Sequence, residues 1–230
     1  NVGCCWMGVR RCKNWRTCSC SKFSPSVFYN YTWPLYIVVH KMKIYFDGCA
    51  KTKGVHIKPN WRKRYSTLLC DKLGAEEYNI ARSGGSNRRL VRNLLEHDLS
   101  NYDMFVIQMT KRERFETYNE ESGEWSNVCT NKFSPYVGLE KDYVSSYQKY
   151  FMFYYDNIYS DKMGDMDERI CFAAIKSILQ NKKHVIIYTG PDYCNVPVDF
   201  TYIKGKNHKI KKFNEETHEK IYNDIIEHLQ

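Results

Sequence analysis

The stretch "MKIYFDGCAKTKG" (Met42 to Gly54) decides the fold. Ile44, Tyr45 and Phe46 are consecutive β-formers with no polar alternation, the signature of a strand buried on both faces. Asp47-Gly48 ends the run in a tight turn. Two later stretches repeat the form. "YNIARSGGSNRRLVRNLL" (Tyr78 to Leu95) reads as strand, glycine turn and helix, and "YDMFVIQMTKRER" (Tyr102 to Arg114) as a third strand with a polar end. Strands separated by helices imply a parallel sheet with helices on both faces. The predicted class is a three-layer α/β/α protein with about five parallel strands. Ligands in such sheets bind beyond the carboxyl ends of the strands, where the turns at Gly48–Gly54, Arg82–Arg88 and Met109–Arg114 all fall.

Outward from these strands, residues 60–73 carry Trp61, Tyr65, Leu68, Leu69 and Leu73 at helical spacing, stopped by Gly74. Ser86 or Asn87 caps a helix with Leu90, Val91, Leu94 and Leu95 as its inner face. Residues 115–140 are expected to form a long polar loop. Asp142–Tyr159 is expected to be an aromatic-rich helix, whose rings suit core packing or stacking on sugars. Asp165 with Glu168 resembles a capping box that opens a helix to about Gln180. His184–Thr189 is a fourth strand and Phe200–Ile203 a weaker fifth. Asn214 caps a last helix with Ile221, Ile225, Ile226 and Leu229 inward.

The chain has 230 residues, 43% of them hydrophobic and 15% aromatic, a globular composition. Six lysines and arginines in residues 1–41, with no acid among them, supply most of the net charge of +9. The remainder is nearly neutral, so the charge argues against nucleic-acid binding. Five of the ten cysteines also cluster there, at Cys4, Cys5, Cys12, Cys18 and Cys20, without the C-x-x-C knuckles of a zinc site. The others are scattered through apolar runs, as buried free thiols in a reducing compartment are. Residues 1–41 are expected to lie outside the core, as an extension or as translated sequence ahead of a start at Met42. The domain proper is then 42–230. No stretch is apolar and long enough to span a membrane, which points to a soluble cytoplasmic or virion-associated protein. Neither "GCAKTKG" nor "SGGSN" meets a phosphate-loop or dinucleotide pattern, and no cofactor or metal is expected.

The order of these segments resembles the SGNH/GDSL hydrolases, and most closely their phage- and virus-associated members. "GCAKTKG" fills a block like G-C-S-F-T-x-G. "LGAEEYNIARSGGSN" matches a block like LG-x-E-x-x-N-x-A-x-x-G-x-SN. "DMFVIQMTKRERFE" matches a third block, and "YQKYFMFYYDNIYSDKMGDMDERICFAAIKSIL" and "FNEETHEKI" also fit, so the resemblance covers roughly residues 42–228. It implies an ester or acyl hydrolase acting on acylated or glycan substrates.

The signature residues do not carry over intact. The nucleophilic serine falls on Ala50, the oxyanion glycine on Gly84 (or Gly85), and the third-block asparagine near Thr110, with Gln108 beside it. The closing D-x-x-H pair falls on Lys209 and Lys212, and His218 matches a second histidine further on. Alanine cannot attack an ester, and lysine is protonated at neutral pH, hence a poor base. The expectation is an impaired enzyme, with a non-catalytic glycan- or protein-binding module of the same fold as the alternative. Cys49 is adjacent to the nucleophile position, but neighbouring side chains there diverge. Asn87, Gln108, Arg112 and Arg114 are the candidate ligand contacts, since arginine forks suit carboxylates and phosphates. The competing reading makes "TKRER" a solvated charged loop.

Overall fold

A computed structural model describes residues 41–128, 151, 153–189, 194, 196–202 and 213–230. Residues 1–40, most of the segment 129–152, and 203–212 lie outside the described residues. With them lie the expected N-terminal extension, the first half of the aromatic helix, and Lys209 and Lys212.

Five parallel strands form the central sheet: β1 (Lys43–Asp47), β2 (Glu76–Asn79), β3 (Met104–Met109), β6 (Lys183–Tyr188) and β7 (Phe200–Thr201), in the order β2-β1-β3-β6-β7. All four pairings are parallel. The middle strands are buried along most of their length, β3 throughout, because helices cover both faces. Ile44, Phe46, Val106, Val185 and Ile187 pack against α2 (Tyr65–Leu73) and α5 (Glu215–Leu229). Their alternates Tyr45, Phe105, Ile107 and Ile186 pack against α3 (Asn87–Glu96) and α4 (Asp161–Ile178). The two-residue period of a strand thus divides one apolar run between two cores. This is the three-layer α/β/α architecture expected from the sequence.

Helix ends follow their local chemistry. Gly74 closes α2 in the left-handed region at φ +62°, its N–H donating to the carbonyls of Asp71 and Cys70. Ser86 Oγ caps α3 by accepting from Arg89 N, and Asn214 Oδ1 caps α5 by accepting from Thr217 N.

Several local expectations are corrected. Residues 60–73 are a 3₁₀ turn (Trp61–Lys63) followed by α2, and Trp61 is left exposed. The helix expected from Asp165 begins at Asp161, because Ser160 Oγ accepts from Met163 N a turn earlier. On α3, Leu95 is exposed while Arg89 and Asn93 are buried. The expected loop from 115 contains an antiparallel hairpin, β4 (Phe115–Asn119) and β5 (Glu124–Val128). Its turn is made by Gly123 at φ +67°, and Tyr118 packs on Trp125 across the strands. Residues 153–157 are helical, and Tyr154 and Tyr155 pack around Phe115 of the hairpin. Among the described residues no helix is long and apolar enough to cross a membrane, and no cluster of His, Cys, Asp or Glu could hold a metal.

Candidate functional site

The strand order places a topological switch between β1 and β3, since successive strands are added on opposite sides of that pair. Open α/β sheets bind ligands at such a point, outside the carboxyl ends of the strands. There β1 ends in Asp47, Gly48 and Cys49 lead into the single-turn helix α1 (Ala50–Lys53), and Gly54 closes it at φ +77°.

Gln108 of β3 organises this corner. Its side chain is fully buried, and its Oε1 accepts from Cys49 N (3.1 Å), Thr52 N (3.2 Å) and Thr52 Oγ1 (2.5 Å). Its Nε2 donates to Cys49 Sγ at 3.1 Å and to Thr189 Oγ1 at the end of β6. Thr52 Oγ1 also bonds Tyr65 Oη at 2.8 Å, tying α2 into the network. Gly48 makes the approach possible: a Cβ there would stand 2.7 Å from Gln108 Cβ and 2.5 Å from Thr52 Oγ1.

The second turn closes over the first. Arg82 N donates to Gly48 O at 3.1 Å and Gly85 N to Arg82 O at 2.9 Å. A Cβ on Gly85 would meet Gly48 O at 2.9 Å, so this crossing also requires glycine. Asn87 then grips the third turn. Its Nδ2 donates to Thr110 O (3.1 Å), its Oδ1 accepts from Thr110 N (2.8 Å), and Thr110 Oγ1 donates to Gly85 O (3.0 Å). Gly48, Cys49, Gly85, Asn87, Gln108 and Thr110 therefore meet in one corner although they are spread over three turns, with Ala50 and Gly84 next to them in the chain. Ala50 is half-buried, and Cys49, at 3% exposure, is turned inward.

Beneath the corner lies a charged cluster that the sequence reading did not single out. Asp47 is fully buried and accepts from Gly48 N (2.7 Å), Arg89 Nη1 (2.6 Å) and Asn93 Nδ2 (2.7 Å). Burial pushes its carboxyl above the usual range, and the Arg89 guanidinium and the two other donors pull against that. The available signal was an aspartate closing an otherwise apolar strand, which demands buried partners.

The charged residues around the corner are held by other partners. Lys51 Nζ donates to Thr189 O at 2.8 Å and lies 4.9 Å from the centre of the Phe213 ring. Arg112, expected to face a ligand, pairs with Asp165 and, at 3.1 Å, with Asp161 on α4. Arg88 likewise pairs with Asp167 at 2.7 Å. "TKRER" is therefore neither a free anion grip nor a solvated loop; Arg112 is a strut to α4. Arg114 is half-buried, its N–H donating to Lys111 O at 3.2 Å where the hairpin begins.

His218 is fully buried on α5. Its Nδ1 accepts from Tyr65 N at 3.2 Å, and the ring stacks on Tyr65 with centroids 5.8 Å apart and meets Phe213 edge-on at 5.0 Å. That bond leaves the proton of the neutral ring on Nε2, which has no partner among the described residues. Burial, then the charges of His56 and Arg64, lower its pKa to about 4. Its contacts are those of a packing residue of the α2–α5 layer.

The fold and corner define an α/β/α protein with a switch-point site of hydrogen-bonded turns. No family model matches the chain, and no curated protein matches it in sequence. Its structure is similar to an acetyl xylan esterase (Est2A) from the rumen bacterium Butyrivibrio proteoclasticus, at 11% identity over 83% of this chain and 64% of that one, with a TM-score of 0.40. It is also similar to a carbohydrate esterase whose active site displays divergent catalytic and non-catalytic binding functions (13% identity, 82% and 68% coverage, TM-score 0.46). A third is a family two carbohydrate esterase from Clostridium thermocellum in complex with cellohexaose (14%, 80% and 62%, 0.37). The chain spans less than two thirds of the first and third of these.

Proposed function

We propose that this chain is an SGNH/GDSL-type hydrolase fold in which the ester-cleaving route is lost. One observation carries the reading: among the described residues the polar groups of the corner bond to one another, and the hydroxyls of Thr52 and Thr110 are held in those bonds. Acyl transfer requires a hydroxyl or thiol, a base within reach, and donors aimed at the developing oxyanion. Residue 50 is alanine. The N–H groups of Cys49 and Thr52 are taken up by Gln108, and Asn87 and Thr110 by one another. Cys49 Sγ accepts a hydrogen bond inside the core, an orientation that suits packing rather than attack.

Turnover of short-chain aryl esters tests this. The wild type and Ala50→Ser are expected to stay near background. Ala50→Ser with Lys209→Asp and Lys212→His is expected to exceed the single variant, since a positioned general base contributes about 10²–10⁴-fold. An active wild type whose activity disappears in Cys49→Ala overturns the proposal and makes the thiol the nucleophile.

A second reading, a glycan-binding module, is favoured by the exposed Tyr118–Trp125 pair, with the Arg92 guanidinium 4.8 Å from the Trp125 ring. Such a platform offers faces to a sugar ring. Acetylated xylo-oligosaccharides titrated into the protein should then quench tryptophan fluorescence in the wild type and not in Trp125→Ala.

A further inference from the structure

Helix α4 has two apolar faces, and the sheet uses only one. Gly164, Glu168, Cys171 and Ile175 are buried on the inner side, against α3 and the sheet. On the opposite side Met163, Met166 and Ile170 are 46%, 57% and 58% exposed. Ala173 and Ser177 continue that row in exposed positions. The five follow a strict 3-4-3-4 spacing and, at 100° per residue, fall within an arc of roughly 80°, the narrow seam of a coiled-coil helix rather than the broad face of a core-facing one. Exposed methionines at helical spacing are adaptable contact residues for a partner helix.

The flank of the seam is charged in register. Lys162, Arg169 and Lys176 occupy the same heptad position one residue before Met163, Ile170 and Ser177, and all three are exposed, Lys176 with its Nζ 3.1 Å from His184 Nε2. In coiled coils this position selects the partner by charge. A second copy of α4 is a poor match. Packed antiparallel, it sets this cationic row against itself. Packed parallel, it offers Asp167, which is already held by Arg88, and Ala174. The complement is a helix with an apolar seam flanked by acids.

We propose that the outer face of α4 is a docking surface for an acidic amphipathic helix of a partner protein. Met163, Met166 and Ile170 form the seam, and Lys162, Arg169 and Lys176 read the charge. The surface lies on the opposite side of α4 from the sheet, and the proposal stands or falls independently of any hydrolytic activity.

The test uses the full chain and two fluorescein-labelled three-heptad peptides, both with leucine at the seam positions. One carries glutamate along both flanks and the other lysine. Anisotropy should show the glutamate peptide binding at least about tenfold more tightly than the lysine peptide, as opposed charge rows specify partners. Lys162→Glu with Arg169→Glu and Lys176→Glu should invert that preference, and Ile170→Asp should abolish binding of both. Unchanged circular dichroism verifies that each variant folds, and the charge reversal decides the matter if Ile170→Asp does not. Equal binding of the two peptides, binding indifferent to the charge reversal, or no binding overturns the proposal. So does a wild-type dimer in light scattering that Ile170→Asp dissociates, which would assign the face to a second copy. Capture by anionic vesicles that Ile170→Asp abolishes would assign it to lipid and overturn the proposal equally.

Discussion

Buried His218 makes the fold acid-sensitive in a defined window. In the folded chain its Nδ1 is occupied by the Tyr65 N–H, and its Nε2 faces no acceptor among the described residues, so a second proton finds no stabilising partner there. The folded ring holds that proton only near pH 4, whereas the unfolded chain takes it up at the ordinary value of 6.5. Between those values the unfolded state binds more protons, so stability falls as the pH falls and is fully present above about 6.5. The gap from 6.5 to about 4 amounts to at most about 3 kcal/mol, with a slope of about 1.4 kcal/mol per pH unit inside the window. Urea unfolding of the wild type and of His218→Asn between pH 7.5 and 4.5 measures it. Asparagine retains an acceptor for Tyr65 N and does not titrate. It should lower stability at neutral pH through lost ring packing, while flattening the dependence by about one proton. Parallel pH profiles for the two proteins would refute the reasoning.

Three further outcomes follow from the corner itself. Gly48→Ala forces a methyl group into Gln108 and Thr52 and should cost on the order of 1–3 kcal/mol, read as a lowered thermal midpoint; an unchanged midpoint would mean that the close approach is soft. Arg89→Ala strips the guanidinium from fully buried Asp47 and should cost about 3–5 kcal/mol in urea unfolding, with Asp47→Asn on top restoring part of it. Ser86→Ala removes the cap of α3 and should cost about 1 kcal/mol, recovered in Ser86→Asp.

The architecture was legible because its signals are local. The run Ile44-Tyr45-Phe46 can be little other than a buried strand, and β3 matched its expected span, Met104 to Met109. Turn glycines and caps at Gly74, Ser86 and Asn214 state their own conformations. Failures came where a side chain's role depends on distant partners. Arg89 and Asn93 were not singled out because only the fold brings Asp47 to them, and Leu95 read as core because periodicity does not say how wide the buried face is. Arg112 read as a ligand contact because its acids lie some fifty residues further on. The hairpin at 115–128 was missed because its strands are short and polar and are held by a single cross-strand aromatic pair and a neighbouring helix. That the turns at Gly48–Gly54, Arg82–Arg88 and Met109–Arg114 lie at one edge followed from strand ends, but the direction in which each hydrogen bond runs did not.

Gln108 has a consequence for how such a corner changes over time. The hydrogen bonds by which Gln108 fixes the first turn run to residues 49, 52 and 189, and none uses the side chain at position 50. The scaffold is thus indifferent to what that position carries. A hydroxyl can be gained or lost there without selection on folding noticing, and stability measurements alone cannot betray whether a working site stands above the turn. A serine placed at residue 50 would meet the amide groups of Cys49 and Thr52 already committed inward to Gln108, so any oxygen chemistry built there would require that glutamine to change partners as well.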